Sequence, residues 1–98
     1  MASFFITRHP GAHEWIKQQG IEVDKCVEHF DMDMIRADDV VIGTLPVNIA
    51  ARVCERGARY LHLSLSLPAE LRGVELTAQQ MSDCDARIEE FDVRRVRN

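Results

Sequence analysis

Two short apolar runs, Phe4-Phe5-Ile6 and Val40-Val41-Ile42, constrain the fold of this chain more than any other feature. Each passes through a tight turn into a segment of helical character. The second run is apolar at consecutive positions, so as a strand it is apolar on both faces and needs a helix layer above and below it. Strands alternating with helices imply a mostly parallel sheet with right-handed crossovers.

The pattern predicts strands at Ser3 to Arg8, Lys25 to Phe30, Asp39 to Gly43, Tyr60 to Leu67 and Phe91 to Val96. Helices are predicted at Ala12 to Gln19, Val47 to Arg56 and Thr77 to Glu90. Gly20 and Gly57 sit where left-handed residues would stop the first two helices. Pro46 suits a helix start, and Thr77 with Gln80 three residues on reads as a capping box. Val47, Ile49, Ala50, Val53 and Cys54 form an apolar helix face; Met81, Cys84, Ile88 and Phe91 do so more weakly. In the fourth strand Leu61, Leu63, Leu65 and Leu67 face one way and His62, Ser64 and Ser66 the other. The connection Asp31 to Asp38 is short and acidic, with room for one turn of helix. At 98 residues the chain makes one domain, residues 1–98. The expected architecture is a small three-layer α/β domain, Rossmann-like, with about five strands.

Composition narrows the function. A net charge of −4 is unsuited to coating long nucleic acid, which needs a basic surface. It still allows a small phosphorylated ligand, because local donors outweigh the global sum. No apolar run reaches bilayer length and no signal-peptide pattern opens the chain, so a cytoplasmic protein with no membrane partner is expected. Three widely spaced cysteines, Cys26, Cys54 and Cys84, read as reduced thiols rather than a disulfide framework or zinc site. Cys54 is expected in the core, with Cys26 and Cys84 buried or half-buried.

The chemistry concentrates in the two turns. In Thr7-Arg8-His9-Pro10-Gly11-Ala12 a strand enters a helix beside a cationic and a titratable side chain, a setting suited to phosphate. Gly43-Thr44-Leu45-Pro46 repeats the grammar. Ligands of open α/β sheets bind at the carboxyl ends of the strands, where strand order reverses. That rule gathers Thr7, Arg8 and His9 with Gly43, Thr44 and Asn48, and adds Ser64 and Ser66. Arg8 could clamp a phosphate and His9 could carry a proton. Gly11 and Gly43 could let backbone approach a ligand, while Thr44 and Asn48 offer neutral hydrogen bonds.

Other clusters read more plainly. His9 and His13 lack a third ligand at metal-site spacing, so no metal or other cofactor is expected. His29, Asp31 and Asp33 read as a solvated loop, and Trp15 as a cover for the sheet. Arg72 lies in a loop from which it could reach a ligand. Arg94, Arg95 and Arg97 form a basic tail.

Several of these stretches, taken in order, resemble a known family. They are Thr7-Arg8-His9-Pro10-Gly11-Ala12 with Glu14-Trp15, Val41-Ile42-Gly43-Thr44-Leu45-Pro46-Val47-Asn48 and Arg56-Gly57-Ala58-Arg59-Tyr60. Leu63-Ser64-Leu65 and Arg72-Gly73-Val74-Glu75-Leu76 extend the match. Together they resemble the small CRISPR-associated family called Csx sixteen. The resemblance implies a CARF-like domain accompanying type III CRISPR systems, a cyclic tetra-adenylate ligand, ring-nuclease activity and a homodimer. With that ligand, a ribose 2′-hydroxyl would attack the adjacent phosphorus without a metal, leaving a 2′,3′-cyclic phosphate. Arg8, His9, Thr44 and Ser64 are then the candidate catalytic residues, with Arg8 and the N–H groups after Thr44 stabilising charge. Thr7, Pro10, Gly11, Gly43, Leu45, Pro46, Asn48, Ser66 and Arg72 are the candidate binding residues. Which of the first four act and which only hold the ligand stays open, as do two rivals. One is a module that sequesters the ring uncut. The other is a docking protein using Trp15 or the third helix.

Overall fold

A computed structural model describes residues 1–8 and 10–96. His9, the expected proton carrier, and Arg97 lie outside the described residues. The order of elements is β1 (Ser3–Ile6), α1 (Pro10–Gln18), β2 (Lys25–Val27), β3 (Val40–Gly43), α2 (Val47–Glu55), β4 (Arg59–Ser64), α3 (Ala78–Asp83) and β5 (Arg87–Phe91). Short 3₁₀ turns at Met32–Met34 and Ala69–Leu71 punctuate the β2–β3 and β4–α3 connections. The first is the single turn expected for the acidic crossover.

The five strands form one sheet in the order β2-β1-β3-β4-β5. The first four are parallel and β5 runs antiparallel to β4. Alternation along the strands divides the interior into two cores. Phe4, Ile6, Val41 and Tyr60 pack against Ala50 and Val53 of α2. Phe5, Ile42 and Leu63 pack against Ala12, Trp15 and Ile16 of α1 and Ala78 and Met81 of α3. The result is the expected three-layer α/β arrangement, a small Rossmann-like domain with α1 and α3 on one face and α2 on the other. Trp15, only 2% exposed, is part of the second core and offers no docking surface.

All three helices end alike. Ile21, Ala58 and Ala86 donate their N–H groups back to Ile16, Val53 and Met81, and the residue just before each has a positive φ. Each donor and acceptor residue also lies in the same core, which completes the Schellman pattern. Gly20 (φ 73°) and Gly57 (φ 88°) fill the left-handed position of α1 and α2, as expected. Asp85 (φ 58°) fills it after α3. That residue corrects the expected helix Thr77 to Glu90. The helix stops at Asp83, so Ile88 and Phe91 belong to β5 rather than to a helix face, and the last strand lies at Arg87–Phe91 instead of Phe91 to Val96. The capping box of Thr77 and Gln80 forms as expected, with bonds of 3.1 and 3.0 Å.

Polar contacts close the end of the sheet away from the helix-entering turns. The Asp39 carboxylate accepts the N–H of Ala2 and of Arg36, each at 2.9 Å. These bonds hold its pKa below the ordinary value and tie the start of β1 to the crossover. Ser3 and Asp24 exchange four hydrogen bonds, pinning β2 beside β1. Cys26 is exposed, against expectation, because β2 is an edge strand; Cys54 is half-buried and Cys84 buried.

Candidate functional site

The order β2-β1-β3 makes the gap between β1 and β3 the switch point, because the chain leaves β1 toward β2 and β3 toward β4. A cleft of about 550 Å³ opens there. Thr7 and Arg8 enter it from the end of β1, and Gly43 and Thr44 from the end of β3. The two turns singled out in the sequence therefore border one cavity. Its wall is apolar, built by Leu63, Leu65, Leu67, Val74, Leu76 and Met81. Arg8 and Glu75 are the charged side chains among its described lining residues. Such a site pairs an apolar surface with a few placed polar groups, the usual make-up of a small-ligand pocket.

Arg8 does not project alone. Its Nη2 donates to Nδ1 of His29, 3.3 Å away, from the loop after β2. Guanidinium is only a donor, so Nδ1 must accept and a neutral His29 carries its proton on Nε2. The histidine that read as part of a solvated loop thus lies next to the site's cation. Only sheet order could reveal this, since 21 residues separate the pair.

The β3–α2 turn is held by a residue that sequence reasoning passed over. The Tyr60 hydroxyl accepts the Leu45 N–H at 2.9 Å and donates to the Gly43 carbonyl at 3.1 Å. It also meets Nδ1 of His62 at 2.6 Å. All three contacts are satisfied together when Nδ1 carries the proton, since one phenol can accept two hydrogen bonds and donate one. Burial pushes the Tyr60 phenol above its ordinary pKa, so it stays a neutral donor. Of the N–H groups after Thr44, that of Leu45 is committed to Tyr60 and Pro46 has none, so any contact of backbone N–H groups with a ligand there starts at Val47 in the first turn of α2.

Of the expected site residues, Thr7, Arg8, Gly43 and Thr44 meet in the cleft. The others described lie elsewhere. Ser64 follows Leu63 in β4, and strand alternation turns it to the face of Tyr60 and His62, away from the cleft wall. Ser66 lies beyond the strand and donates its N–H to the Cys84 carbonyl. Arg72 caps the 3₁₀ turn and is exposed beside Gly73, which does line the cleft. Leu45 packs into the α2 core, and Pro46 and Asn48 are exposed at the start of α2. Pro10 is exposed in the first turn of α1. Gly11 packs against protein. A Cβ there would overlap the Leu76 carbonyl oxygen, so its role is to let α1 pack against the segment leading into α3. Gly43 has a similar duty toward Ile6, whose carbonyl oxygen would lie 3.0 Å from an added Cβ.

The geometry defines a class: a small Rossmann-like domain with a largely apolar cleft at its switch point, bordered by Arg8 and Glu75. The chain belongs to the family described as "Putative CRISPR-associated protein (Cas_VVA1548)", whose model matches residues 4–94. Neither a curated protein nor a solved structure matches it. Among the described residues no group of His, Cys, Asp or Glu could hold a metal ion, and no helix is long and apolar enough to cross a membrane.

Proposed function

We propose that this CRISPR-associated protein binds cyclic tetra-adenylate and cleaves it, switching off type III CRISPR signalling. One observation carries the reading: Arg8, Thr7 and Thr44 converge beside an apolar wall in a single cleft. Each nucleotide of the ring has that same division, a flat base that can stack on apolar surface joined to a singly charged phosphodiester. Membership of a CRISPR-associated family and the resemblance to Csx sixteen support the choice of this ligand. A ring of four nucleotides outgrows one cleft, and its rotational symmetry matches a two-fold homodimer in which each copy grips one side.

Cleavage needs no metal in this scheme. The 2′-oxygen attacks the neighbouring phosphorus, O5′ departs, and the product ends in a 2′,3′-cyclic phosphate. The cleft contributes alignment of the two oxygens and, through Arg8, stabilisation of the added charge on phosphorus. Arg8 is suited to this because its planar fork can span two phosphate oxygens.

The test is incubation of labelled cyclic tri-, tetra- and hexa-adenylate with the protein and a chelator, followed by product separation. Cyclic tetra-adenylate should yield linear fragments with cyclic phosphate ends. Arg8→Ala should slow cleavage by roughly 10²-fold, the scale of losing one charge-stabilising donor. A ring bound but intact after prolonged incubation with excess protein would make the chain a sequestering module. A ring neither bound nor cut would end the proposal.

A further inference from the structure

We propose that Glu75 is the general base of the cleft; the assignment rests on the ring-cleaving reading above. Attack by a ribose 2′-hydroxyl requires a group that removes its proton. Among the described residues lining the cleft, the Arg8 guanidinium offers only hydrogen-bond donors, and the hydroxyls of Thr7 and Thr44 are far too weakly basic for the task. Glu75 is the one described lining residue that carries a carboxylate, a group able to take up a hydroxyl proton. Its carboxylate makes no hydrogen bond or ion pair with another described residue, so both oxygens are open to a substrate hydroxyl.

The fold explains how an irregular loop places it there. Gly73, with φ 77°, turns the chain, and Leu76 then packs into the α1–α3 core. The Leu76 carbonyl abuts Gly11 in the first turn of α1, just after the turn that bears Arg8. Thr77 caps α3 directly afterwards. Glu75 is thereby fixed on its C-terminal side by Leu76 and Thr77, in a segment packed against the start of α1, and it lines the same cleft as Arg8. A carboxylate in a pocket for an anion weakens binding by repulsion, and that cost is understandable if the group does chemistry.

The step balances without a co-reactant. The 2′-hydroxyl proton passes to the Glu75 carboxylate as the 2′-oxygen bonds to phosphorus. The phosphorus–O5′ bond breaks, and O5′ takes a proton from solvent. The products are a 2′,3′-cyclic phosphate and a 5′-hydroxyl.

The experiment compares the full chain with Glu75→Gln and Glu75→Asp. Binding is measured with the all-2′-deoxy cyclic tetra-adenylate, which cannot be attacked, and cleavage with the ribose ring across acid to neutral pH. Glu75→Gln should cut roughly 10²–10⁴-fold more slowly, bind the deoxy ring as tightly or more tightly, and lose the acid limb of the pH–rate profile. Glu75→Asp should restore part of the rate. Wild-type cleavage with an equally active Glu75→Gln would overturn this assignment alone. So would a parallel loss of binding and cleavage, which marks a structural residue. A wild-type protein that leaves the ribose ring intact would remove the ring-cleaving reading, and this assignment with it.

Discussion

Replacing Gly11 with alanine separates a packing role from a ligand role. In an exposed helix the change gains about 1 kcal/mol, because alanine is the better helix former. Here the new Cβ would overlap the Leu76 carbonyl oxygen and sit 3.0 Å from the carbonyl carbons of Leu76 and Thr77. All three atoms are backbone, so no rotamer change relieves the contact. The helix must instead lift away from the 76–77 segment, and Thr77 takes α3 with it. Overpacking of this kind costs about 1–3 kcal/mol; with three rigid backbone atoms in contact the upper end applies, so after the helix gain the net loss is about 2 kcal/mol. For a domain of this size that lowers Tm by about 8–16 °C. Thermal unfolding followed by far-ultraviolet circular dichroism measures it. Gly20→Ala is the control: no atom lies within 4 Å of its added Cβ, but its φ of 73° makes the penalty purely conformational, about 1–2 kcal/mol. A Gly11→Ala protein as stable as the parent would refute the packing argument and return Gly11 to the ligand.

Two further substitutions probe the frame around the cleft. Tyr60→Phe leaves the Leu45 N–H and the buried Gly43 carbonyl without their partner, which should cost about 1–3 kcal/mol in a urea titration. Asp39 has a lowered pKa in the fold, held by the N–H groups of Ala2 and Arg36. Its stabilisation is therefore complete above the ordinary aspartate value of 3.8 and fades as pH falls through the lower folded value. Urea midpoints should drop with acidification in that window, and Asp39→Asn should start lower at pH 7 and show a shallower drop.

What the sequence determined by itself is the part governed by neighbours along the chain. The apolar runs at residues 4–6 and 40–42, the capping box at Thr77, and Gly20 and Gly57 after their helices are all local signals. They were enough for the α/β class and for the two turns that meet at the cleft. Where a local cue was missing the reading slipped: Asp85 takes the left-handed position without being glycine, so a helix was extended through what is β5. Membership of the site was decided by tertiary structure. Strand alternation turned Ser64 from the wall that Leu63 and Leu65 build. Sheet order set His29 against Arg8, and close packing at Gly11 fixed the loop that presents Glu75. Such contacts join residues 20 to 70 positions apart, and no periodicity in a chain encodes a distance that exists only once the layers have packed.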